Sequence, residues 1–240
     1  MVHLPVYVLS LPDTVRRARL LSTLTTAGIE YEMIWGIDGR SGLPAKYEPM
    51  IDRATARQYL GRDMSDGEFA CALSHLSIYQ AFLKTGLPGA VVFEDDAVIT
   101  PGFLKVYESL ETPPCDLLFL DHRRTYVNPG NKMTLGSGFG AVEATIPPFL
   151  ANGYVISREG AEYILANALP LSRPADWPCD LGPLTKYACT PRLVDHPDKA
   201  SSNSSLEQGR RKPKRPRIHR FLRKEYWRNW RLKRSSTLIA

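Results

Sequence analysis

The chain has 240 residues, of which 43% are hydrophobic and 23% are charged, and its formal net charge is +6. That length is enough for one large α/β domain with a tail, and the composition is typical of a soluble globular protein. No apolar run reaches the roughly 18 residues that span a bilayer, and the first residues lack the basic and long apolar segments of a secretory signal. These features predict a cytoplasmic protein.

The positive charge is concentrated near the carboxyl end of the chain. Of the 31 Lys and Arg residues, 13 lie between Arg210 and Arg234 together with a single acid, so the remainder holds 18 basic and 24 acidic residues, a net charge of −6. This asymmetry indicates a basic tail that binds to another surface, rather than a basic active site. The four cysteines form no Cys-x-x-Cys pair, which argues against structural zinc and fits reduced thiols.

The first elements in chain order predict an α/β sheet. Residues 6–9 predict a buried strand, and residues 15–24 predict a helix whose apolar side chains recur at helical spacing until Gly28. Residues 31–35 predict a second strand, followed by a turn at residues 36–40. This strand–helix–strand order indicates a parallel sheet, and its carboxyl edge is where nucleotides usually bind.

The later elements repeat this order. Small and apolar residues predict a buried helix at 66–83, and an apolar run of strand-forming residues that begins at Gly89 follows it. The remaining predicted elements are a helix opened by Thr100 and Pro101, a strand at 116–122, a strand at 153–157 with a helix at 158–168, and a short strand at 192–194. Residues 123–148 predict a loop over the site or a β-hairpin, because they lack the Gly-Lys-Ser/Thr of a phosphate-binding loop.

Three consecutive acids, Glu94, Asp95 and Asp96, end the apolar run that begins at Gly89, and the sequence turns apolar again at 97–99. An unpaired buried carboxylate is costly, so acids at the end of a buried strand need a partner. A divalent cation with oxygen ligands, Mn²⁺ or Mg²⁺, is the simplest one. Since alternate side chains of a strand share a face, Glu94 and Asp96 point the same way. The alternative is a solvated acidic turn after the strand.

Several blocks of the sequence carry a family resemblance. The run Gly-Glu-Phe-Ala-Cys-Ala-Leu-Ser-His at 67–75 precedes Val-Phe-Glu-Asp-Asp at 92–96, and the turn Trp-Gly-Ile-Asp-Gly lies at 35–39. Gly-Tyr-Val-Ile-Ser at 153–157 precedes Pro-Ala-Asp at 174–176. Over roughly residues 5–200 the chain resembles glycosyltransferase family 25, the lipooligosaccharide galactosyltransferases of Gram-negative bacteria and their collagen-modifying relatives.

The resemblance implies both fold and activity. The expected fold is α/β, a Rossmann-like nucleotide-sugar glycosyltransferase fold of GT-A type, with a mostly parallel central sheet flanked by helices. The expected activity is inverting, metal-assisted transfer of a hexose, with galactose from UDP-galactose favoured, onto a lipooligosaccharide or lipopolysaccharide acceptor. Two alternatives remain: a metal-dependent phosphohydrolase or nuclease, and a non-catalytic protein that binds membranes or nucleic acid. A pure binding module has no evident use for the three acids.

The resemblance also suggests the ligands of the cation and the base. Asp96 is the first candidate for a direct metal ligand, with Glu94, Asp95 and His196 as further candidates; the alternative for His196 is a surface position beside Asp195. An inverting transfer needs one base to accept the proton of the acceptor hydroxyl. Asp176 is the first candidate and Asp180 the second, and the alternative for each is the capping of a turn.

Further residues are expected to bind the nucleotide sugar or to support the site. Arg16 and Arg17 are candidates for phosphate contacts, Asp38 and Gly39 for contacts to the base or ribose, and Glu94 and Asp95 for donor binding. For the arginines the alternative is an exposed helix face. The candidates for supporting roles are Ser74, His75, Gly153 and Tyr154, although a hydrogen-bonded core histidine is the favoured interpretation of His75.

The sequence divides into a catalytic domain at 1–200, a Ser/Asn-rich linker at 201–209 and a basic tail at 210–240. On a helical projection, Ile218, Phe221, Leu222, Tyr226, Trp230 and Leu232 share one arc, and most basic residues lie opposite. A basic helix with an aromatic face is typical of attachment to an anionic membrane. We therefore expect peripheral association with the inner membrane; a disordered tail is the second interpretation and nucleic-acid binding the third.

Overall fold

The structure is a computed structural model that describes residues 3–196 and 224–239. Its strands are β1 (Val6–Ser10), β2 (Glu32–Trp35), β3 (Gly89–Glu94), β4 (Val98–Ile99), β5 (Leu117–Phe119), β6 (Thr125–Gly136), β7 (Phe139–Ile146), β8 (Gly153–Ser157), β9 (Lys186–Thr190), β10 (Val194–Asp195) and β11 (Thr237–Ile239). Its helices are α1 (Ala18–Thr26), α2 (Arg53–Leu60), α3 (Asp66–Leu83), α4 (Pro101–Tyr107), α5 (Arg158–Ala168) and α6 (Lys224–Ser235), with a 3₁₀ helix at Ala45–Met50.

Nine strands form the central sheet in the order β11-β6-β7-β9-β5-β8-β3-β1-β2, while β4 and β10 form a separate two-stranded ribbon. Strands β1, β2 and β3 are parallel neighbours, and β5 is parallel to β9. Strands β8, β7 and β11 run antiparallel to their neighbours, so the other six strands share one direction. The predicted α/β fold with a mostly parallel central sheet flanked by helices is confirmed.

Helices cover both faces of the sheet. Along β3, Val92 packs into the core under α3 and α5, whereas Val91 and Phe93 pack under α1 and α4. This alternation follows from the two-residue period of a strand that is buried on both faces. Strand β3 is therefore almost entirely apolar until it reaches Glu94 at the carboxyl edge.

Helix α3, predicted at 66–83, has those bounds in the structure. Its amino end is fixed by a capping box, in which the Ser65 hydroxyl accepts a hydrogen bond from the Glu68 amide at 3.2 Å and the Glu68 carboxylate accepts one from the Ser65 amide at 3.0 Å. The Arg62 guanidinium also donates to Glu68 at 2.6 and 2.7 Å. These bonds fix the start of the helix that carries Ser74 and His75.

Of the two structures predicted for residues 123–148, the β-hairpin is the one formed. Strands β6 and β7 pair antiparallel, and the turn between them uses positive φ angles at Gly136 (89°), Ser137 (52°) and Gly138 (81°). Glycine adopts such angles without steric cost. The glycine-rich segment is therefore a hairpin turn and not a phosphate loop.

The described part of the predicted tail folds against the catalytic domain. Strand β11 extends the sheet by pairing antiparallel with β6, and the Ser236 hydroxyl lies 2.8 Å from the Thr145 hydroxyl. The predicted linker at 201–209 and the residues Ile218, Phe221 and Leu222 lie outside the described residues. Among the helices that are described, none combines the length and the apolar character that crossing a membrane requires.

Candidate functional site

The three acids lie at the carboxyl edge of β3, between the end of β1 and the start of β8. Leu9 pairs with Glu94 in the parallel register, and Phe93 pairs with Gly153 in the antiparallel one. The Glu94 amide donates to the Asn152 carbonyl at 2.9 Å. The predicted acidic strand end is thus held between two neighbouring strands, at the edge where ligands bind in α/β sheets.

Asp95 is fully engaged by the loop that follows β1. Its carboxylate accepts hydrogen bonds from the Ser10 hydroxyl at 3.0 Å and from Nε of Arg16 at 3.1 Å, and Nη2 of Arg16 is a third partner. Burial lowers the pKa of Arg16, but the charges of Asp96 and Asp95 outweigh this effect and raise its pKa. Arg16 is therefore a permanent cation held beside the acids, and Asp95 positions it.

Asp96 is only partly satisfied. Its Oδ2 lies 3.3 Å from Nη2 of Arg16, while its buried Oδ1 has no hydrogen-bond partner among the described residues. Burial, together with the charges of Glu94 and Asp95, raises the pKa of Asp96 from 3.8 to about 6, against the lowering effect of Arg16. A buried oxygen without a partner is costly, so Asp96 is the carboxylate best placed to bind a cation.

Glu94 is backed by a buried chain of side chains that ends on α3. Its Oε1 lies 2.9 Å from Nε2 of His75, and Nδ1 of the same ring lies 2.8 Å from the Tyr154 hydroxyl. The Tyr79 hydroxyl continues the chain at 2.8 Å from that of Tyr154. His75 is a hydrogen-bonded core histidine, as the sequence favoured, and it lies directly behind the acids together with Tyr154.

Ser74, Gly39 and Gly153 fix the backbone around the site. The Ser74 hydroxyl accepts from the Ile37 amide at 2.8 Å, which holds the turn after β2. A Cβ atom on Gly39 would lie 2.5 Å from the Asp66 carbonyl oxygen, and one on Gly153 would lie 3.0 Å from a Val194 methyl carbon. Both glycines are therefore required for close packing at this edge.

The remaining residues predicted to bind nucleotide make contacts within the loops. The Arg17 guanidinium donates to the Leu11 carbonyl at 2.8 Å and stacks on the indole of Trp35, 5.4 Å from the ring centroid. Trp35 is 54% exposed and was missed as a candidate by sequence reasoning. Asp38 forms an exposed ion pair with Arg40 at 2.6 Å, and Arg40 lowers the pKa of Asp38 through this hydrogen bond.

His196 lies beside the acids through the β4–β10 ribbon. Asp195 pairs with Val98, so one step further in this antiparallel register His196 faces Ala97, the residue after Asp96. Nδ1 of His196 lies 2.6 Å from the carboxylate of fully buried Asp121. Because that carboxylate accepts the Nδ1 proton, Nε2 carries the lone pair, as in metal-binding histidines.

Asp96 and His196 each have a side-chain donor atom of a type that binds cations. Nε2 of His196, like Oδ1 of Asp96, is buried and has no hydrogen-bond partner within the described part of the chain. One carboxylate and one imidazole, completed by phosphate oxygens and water, form a ligand set suited to Mn²⁺. The other two predicted ligands bond to protein groups instead, Asp95 to Ser10 and Arg16 and Glu94 to His75.

The two predicted bases, Asp176 and Asp180, line a cavity of about 620 Å³ that none of the three acids lines. Between them, Trp177 has a strained φ of +116° and donates its indole N–H to the Pro148 carbonyl at 2.7 Å. The Trp177 ring also packs 5.5 Å from that of Tyr154. Backbone strain of this kind concentrates at functional sites, and the aromatic contact connects the cavity wall to the chain behind Glu94.

Asp180 is bound by the carboxyl-terminal helix. Nη1 and Nη2 of Arg228 lie 2.8 and 2.5 Å from the two carboxylate oxygens, and the Gly182 amide donates at 2.9 Å. The hydrogen bond from Arg228 lowers the pKa of Asp180. Since a base needs a pKa near the working pH, Asp180 is the weaker of the two candidates.

The model of a family described as glycosyltransferase family 25 (LPS biosynthesis protein) matches residues 3–136, more than half of the chain. The chain belongs to glycosyltransferase family 25. The resemblance inferred from residues 67–75 and 92–96 is thereby confirmed.

Known members of family 25 include both active and inactive proteins. The chain is 33% identical over 187 residues to the bovine probable inactive glycosyltransferase 25 family member 3, covering 70% of this chain and 29% of that protein. It is 29% identical over 172 residues to human procollagen galactosyltransferase 2, covering 67% and 27%. The chain thus spans less than a third of these relatives. Among solved structures, A197 from STIV matches with 14% identity and a TM-score of 0.42, over 85% of this chain and 100% of that one.

Proposed function

We propose that the chain is a metal-dependent, inverting glycosyltransferase that moves a hexose, galactose from UDP-galactose in first place, onto a lipooligosaccharide or lipopolysaccharide oligosaccharide. The proposal rests on the environment of the Asp96 carboxylate. This carboxylate lies at the ligand-binding edge of the sheet with a buried oxygen that lacks a partner in the described chain, next to the permanent cation Arg16.

The donor binds through its diphosphate. Asp96 and His196 would hold the divalent cation, which would neutralise the negative charge that develops on the leaving diphosphate. Arg16, kept in place by Asp95, adds a second positive charge on the same side. Glu94, backed by His75, provides an oriented acceptor for donor hydroxyl groups. These residues bind and orient the donor without leaving their hydrogen bonds to the protein.

The acceptor hydroxyl gives its proton to Asp176. The cavity that Asp176 lines has the volume of small-molecule sites, which hold about 300–1,000 Å³, and the next residue, Trp177, has a strained backbone of the kind that concentrates at functional sites. Asp176 is preferred to Asp180 as the base, because the ion pair with Arg228 occupies the Asp180 carboxylate and lowers its pKa. Apart from the groups that bind the leaving diphosphate, an inverting transfer requires only one carboxylate, which acts as the general base.

The choice of sugar and acceptor follows the family. The human and zebrafish relatives are named procollagen galactosyltransferases, which supports galactose. The family description names lipopolysaccharide biosynthesis, which supports a lipid-linked bacterial glycan as acceptor. A procollagen peptide is the comparison acceptor, since these two relatives are named procollagen galactosyltransferases.

Helix α6 holds the enzyme at the anionic inner-membrane surface where a lipid-linked acceptor lies. Trp227 and Trp230 are 46% and 42% exposed, and exposed basic residues accompany them along the helix. Exposed indoles with basic neighbours favour the interface of anionic bilayers. The double substitution of Trp227 and Trp230 by Ala should abolish sedimentation with anionic vesicles and leave turnover of soluble acceptors intact; unchanged sedimentation contradicts this attachment.

The transferase proposal is tested with a panel of nucleotide sugars, Mn²⁺ and both acceptor types, by measuring nucleoside diphosphate release and product mass. We expect turnover of UDP-galactose that stops with a chelator and recovers with Mn²⁺. No turnover with any sugar nucleotide, or turnover indifferent to the chelator, contradicts the proposal. Phosphate release from simple esters without an acceptor would instead support the phosphohydrolase alternative.

A further inference from the structure

A thiol, an imidazole and a carboxylate converge between α3 and the end of β3. The ligand atoms of Cys71, His75 and Glu94 all lie within 4.8 Å of one another. Sγ of Cys71 is 3.9 Å and Nε2 of His75 is 2.9 Å from the same Glu94 oxygen, Oε1. In the part of the chain that the structure describes, no other group of three such side chains converges this closely.

Two rigid elements build this cluster. Cys71 and His75 are four residues apart on α3, so they lie on one face of the helix, and the capping box at Ser65 and Glu68 fixes where that helix begins. The backbone of Glu94 is held by the hydrogen bond that its N–H donates to the Asn152 carbonyl oxygen. Side chains carried on helices and strands, rather than on loops, keep the geometry that a metal ion requires.

The imidazole is oriented by a second layer of hydroxyl groups. His75 is fully buried, and its Nδ1 lies 2.8 Å from the Tyr154 hydroxyl, which lies 2.8 Å from that of Tyr79. Metal-binding histidines are usually held in this way through their other ring nitrogen. In the metal-free protein Nε2 donates to the Glu94 carboxylate. An ion bound at Nε2 requires the other neutral tautomer, in which the proton is on Nδ1 and the Tyr154 oxygen accepts it.

We propose that Cys71, His75 and Glu94 bind a zinc-class divalent ion, Zn²⁺ or Co²⁺, with water in the fourth position. Thiolate, imidazole and carboxylate are the three ligand types of zinc in proteins, and three protein ligands leave one coordination position open. Binding displaces the Cys71 proton to solvent. The thiolate makes this site selective against Mn²⁺ and Mg²⁺, which prefer oxygen ligands. The proposal does not rest on the proposed transferase function, and an ion bound here would engage Glu94, which that function assigns to donor binding.

Cobalt(II) is the direct probe, because a cobalt–thiolate bond gives a near-ultraviolet charge-transfer band that oxygen and nitrogen ligands do not give. The full chain, freed of metals with a chelator and dialysed, is titrated with Co²⁺. We expect the band to saturate at one equivalent and to be displaced by Zn²⁺. Cys71→Ser should lose the band, whereas Cys115→Ser, the matched half-buried cysteine, should keep it.

The second layer gives an independent readout. Tyr154→Phe should keep the band but weaken Co²⁺ affinity about 10–100-fold, the usual effect of removing the partner of a metal-binding histidine. Zinc should raise the melting temperature of the wild type and not that of Cys71→Ser, since an ion bound only by the folded state stabilises it.

Absence of a thiolate band in the folded wild type overturns the proposal, as does a band that survives in folded Cys71→Ser. If Cys71→Ser fails to fold, Zn²⁺ protection of Cys71 from alkylation in the wild type replaces it, and alkylation indifferent to zinc is the contrary result. Each of these contrary outcomes would leave the cluster with a structural role only, through the hydrogen bond between His75 and Glu94.

Discussion

The acids at the end of β3 and the acid beside α6 are both carboxylates at the mouth of a site, but their surroundings differ. Asp180 receives two hydrogen bonds from Arg228 and one from the Gly182 amide, and its pKa is lowered. Asp96 shares Arg16 with Asp95, has a buried oxygen that no described group satisfies, and has a pKa raised to about 6.

This difference separates a structural carboxylate from a ligand-binding one. Asp180 is satisfied by the protein itself and attaches α6 to the domain. Asp96 is kept charged at neutral pH at a cost to the folded state, and proteins retain such costs mainly where function needs them. Turnover by variants of Asp96 and Asp176 tests this difference through catalysis. Unfolding of variants of Asp96 and Arg228 tests it through stability.

The largest expected effect is that of Asp96→Asn on donor turnover. We expect a loss of about 10³-fold, because the variant removes the carboxylate proposed to hold the charge-neutralising cation. Asp180→Asn is the matched control and should retain turnover within about tenfold, since Asp180 is placed outside the reaction as a structural ion pair. Equal losses in both variants, measured as nucleoside diphosphate release, would erase the distinction between the two regions.

The second effect is that of Asp176→Asn on transfer to the acceptor. We expect a loss of about 10²-fold or more, the contribution of one general base. UDP affinity should not change, because Asp176 lines the cavity and not the edge that binds the diphosphate. A variant that loses UDP binding together with transfer would place Asp176 in the donor site instead.

The third effect is a gain of stability in Asp96→Asn without metal. Burial and the neighbouring acids raise the pKa of Asp96 from 3.8 to about 6, so the folded state holds its proton to higher pH than the unfolded state. Stability linked to this proton is present below pH 3.8 and lost as the pH rises to about 6. Urea unfolding at pH 8 should therefore show the variant more stable by about 1–3 kcal/mol.

The same measurement at pH 4 provides the check on sign. There Asp96 is protonated in the folded state and half-protonated in the unfolded state, so the gain should fall to a fraction of its value at pH 8. A gain that is equal at both pH values would show that the carboxylate charge is not its cause.

The smallest effect is that of Arg228→Ala. The pair with Asp180 is about two-fifths exposed on each side, and exposed ion pairs contribute about 0.2–1 kcal/mol. We expect Arg228→Ala to lower the free energy of unfolding in urea by an amount within that range. In 0.5 M NaCl the difference between the variant and the wild type should largely disappear, because salt screens the exposed pair. A loss of several kcal/mol would mean that α6 is part of the core of the domain.

The sequence predicted the elements whose signals are local. The apolar run that ends at Glu94 identified β3, and the small and apolar residues at 66–83 identified α3 with its bounds. Both elements place the acids, and the blocks at 67–75 and 92–96 indicated the family. The Cys71–His75 cluster has a local signal as well, namely the four-residue spacing of Cys71 and His75 shortly before the acidic strand. This spacing was not recognised as a metal site, because it is not a Cys-x-x-Cys pattern.

Contacts between distant segments could not be predicted. Asp121 bonds to His196 across 75 residues, and the register of the β4–β10 ribbon places that histidine opposite the residue after Asp96. Strand β9 was missed, since Lys186 and Thr190 at its ends give it no clear alternation. Helix α6 has a clear amphipathic pattern, but the pattern does not show whether the apolar face packs against a membrane or against the domain itself.

The central claim is that Asp96 holds a cation for a nucleoside diphosphate, and calorimetric titration of UDP with and without Mn²⁺ tests it most directly. We predict that Mn²⁺ raises the UDP affinity of the wild type and of Asp180→Asn at least about tenfold, or about 1.4 kcal/mol, and has no effect on Asp96→Asn. UDP affinity indifferent to Mn²⁺ in the wild type, or a Mn²⁺ effect that survives in Asp96→Asn, would contradict the claim.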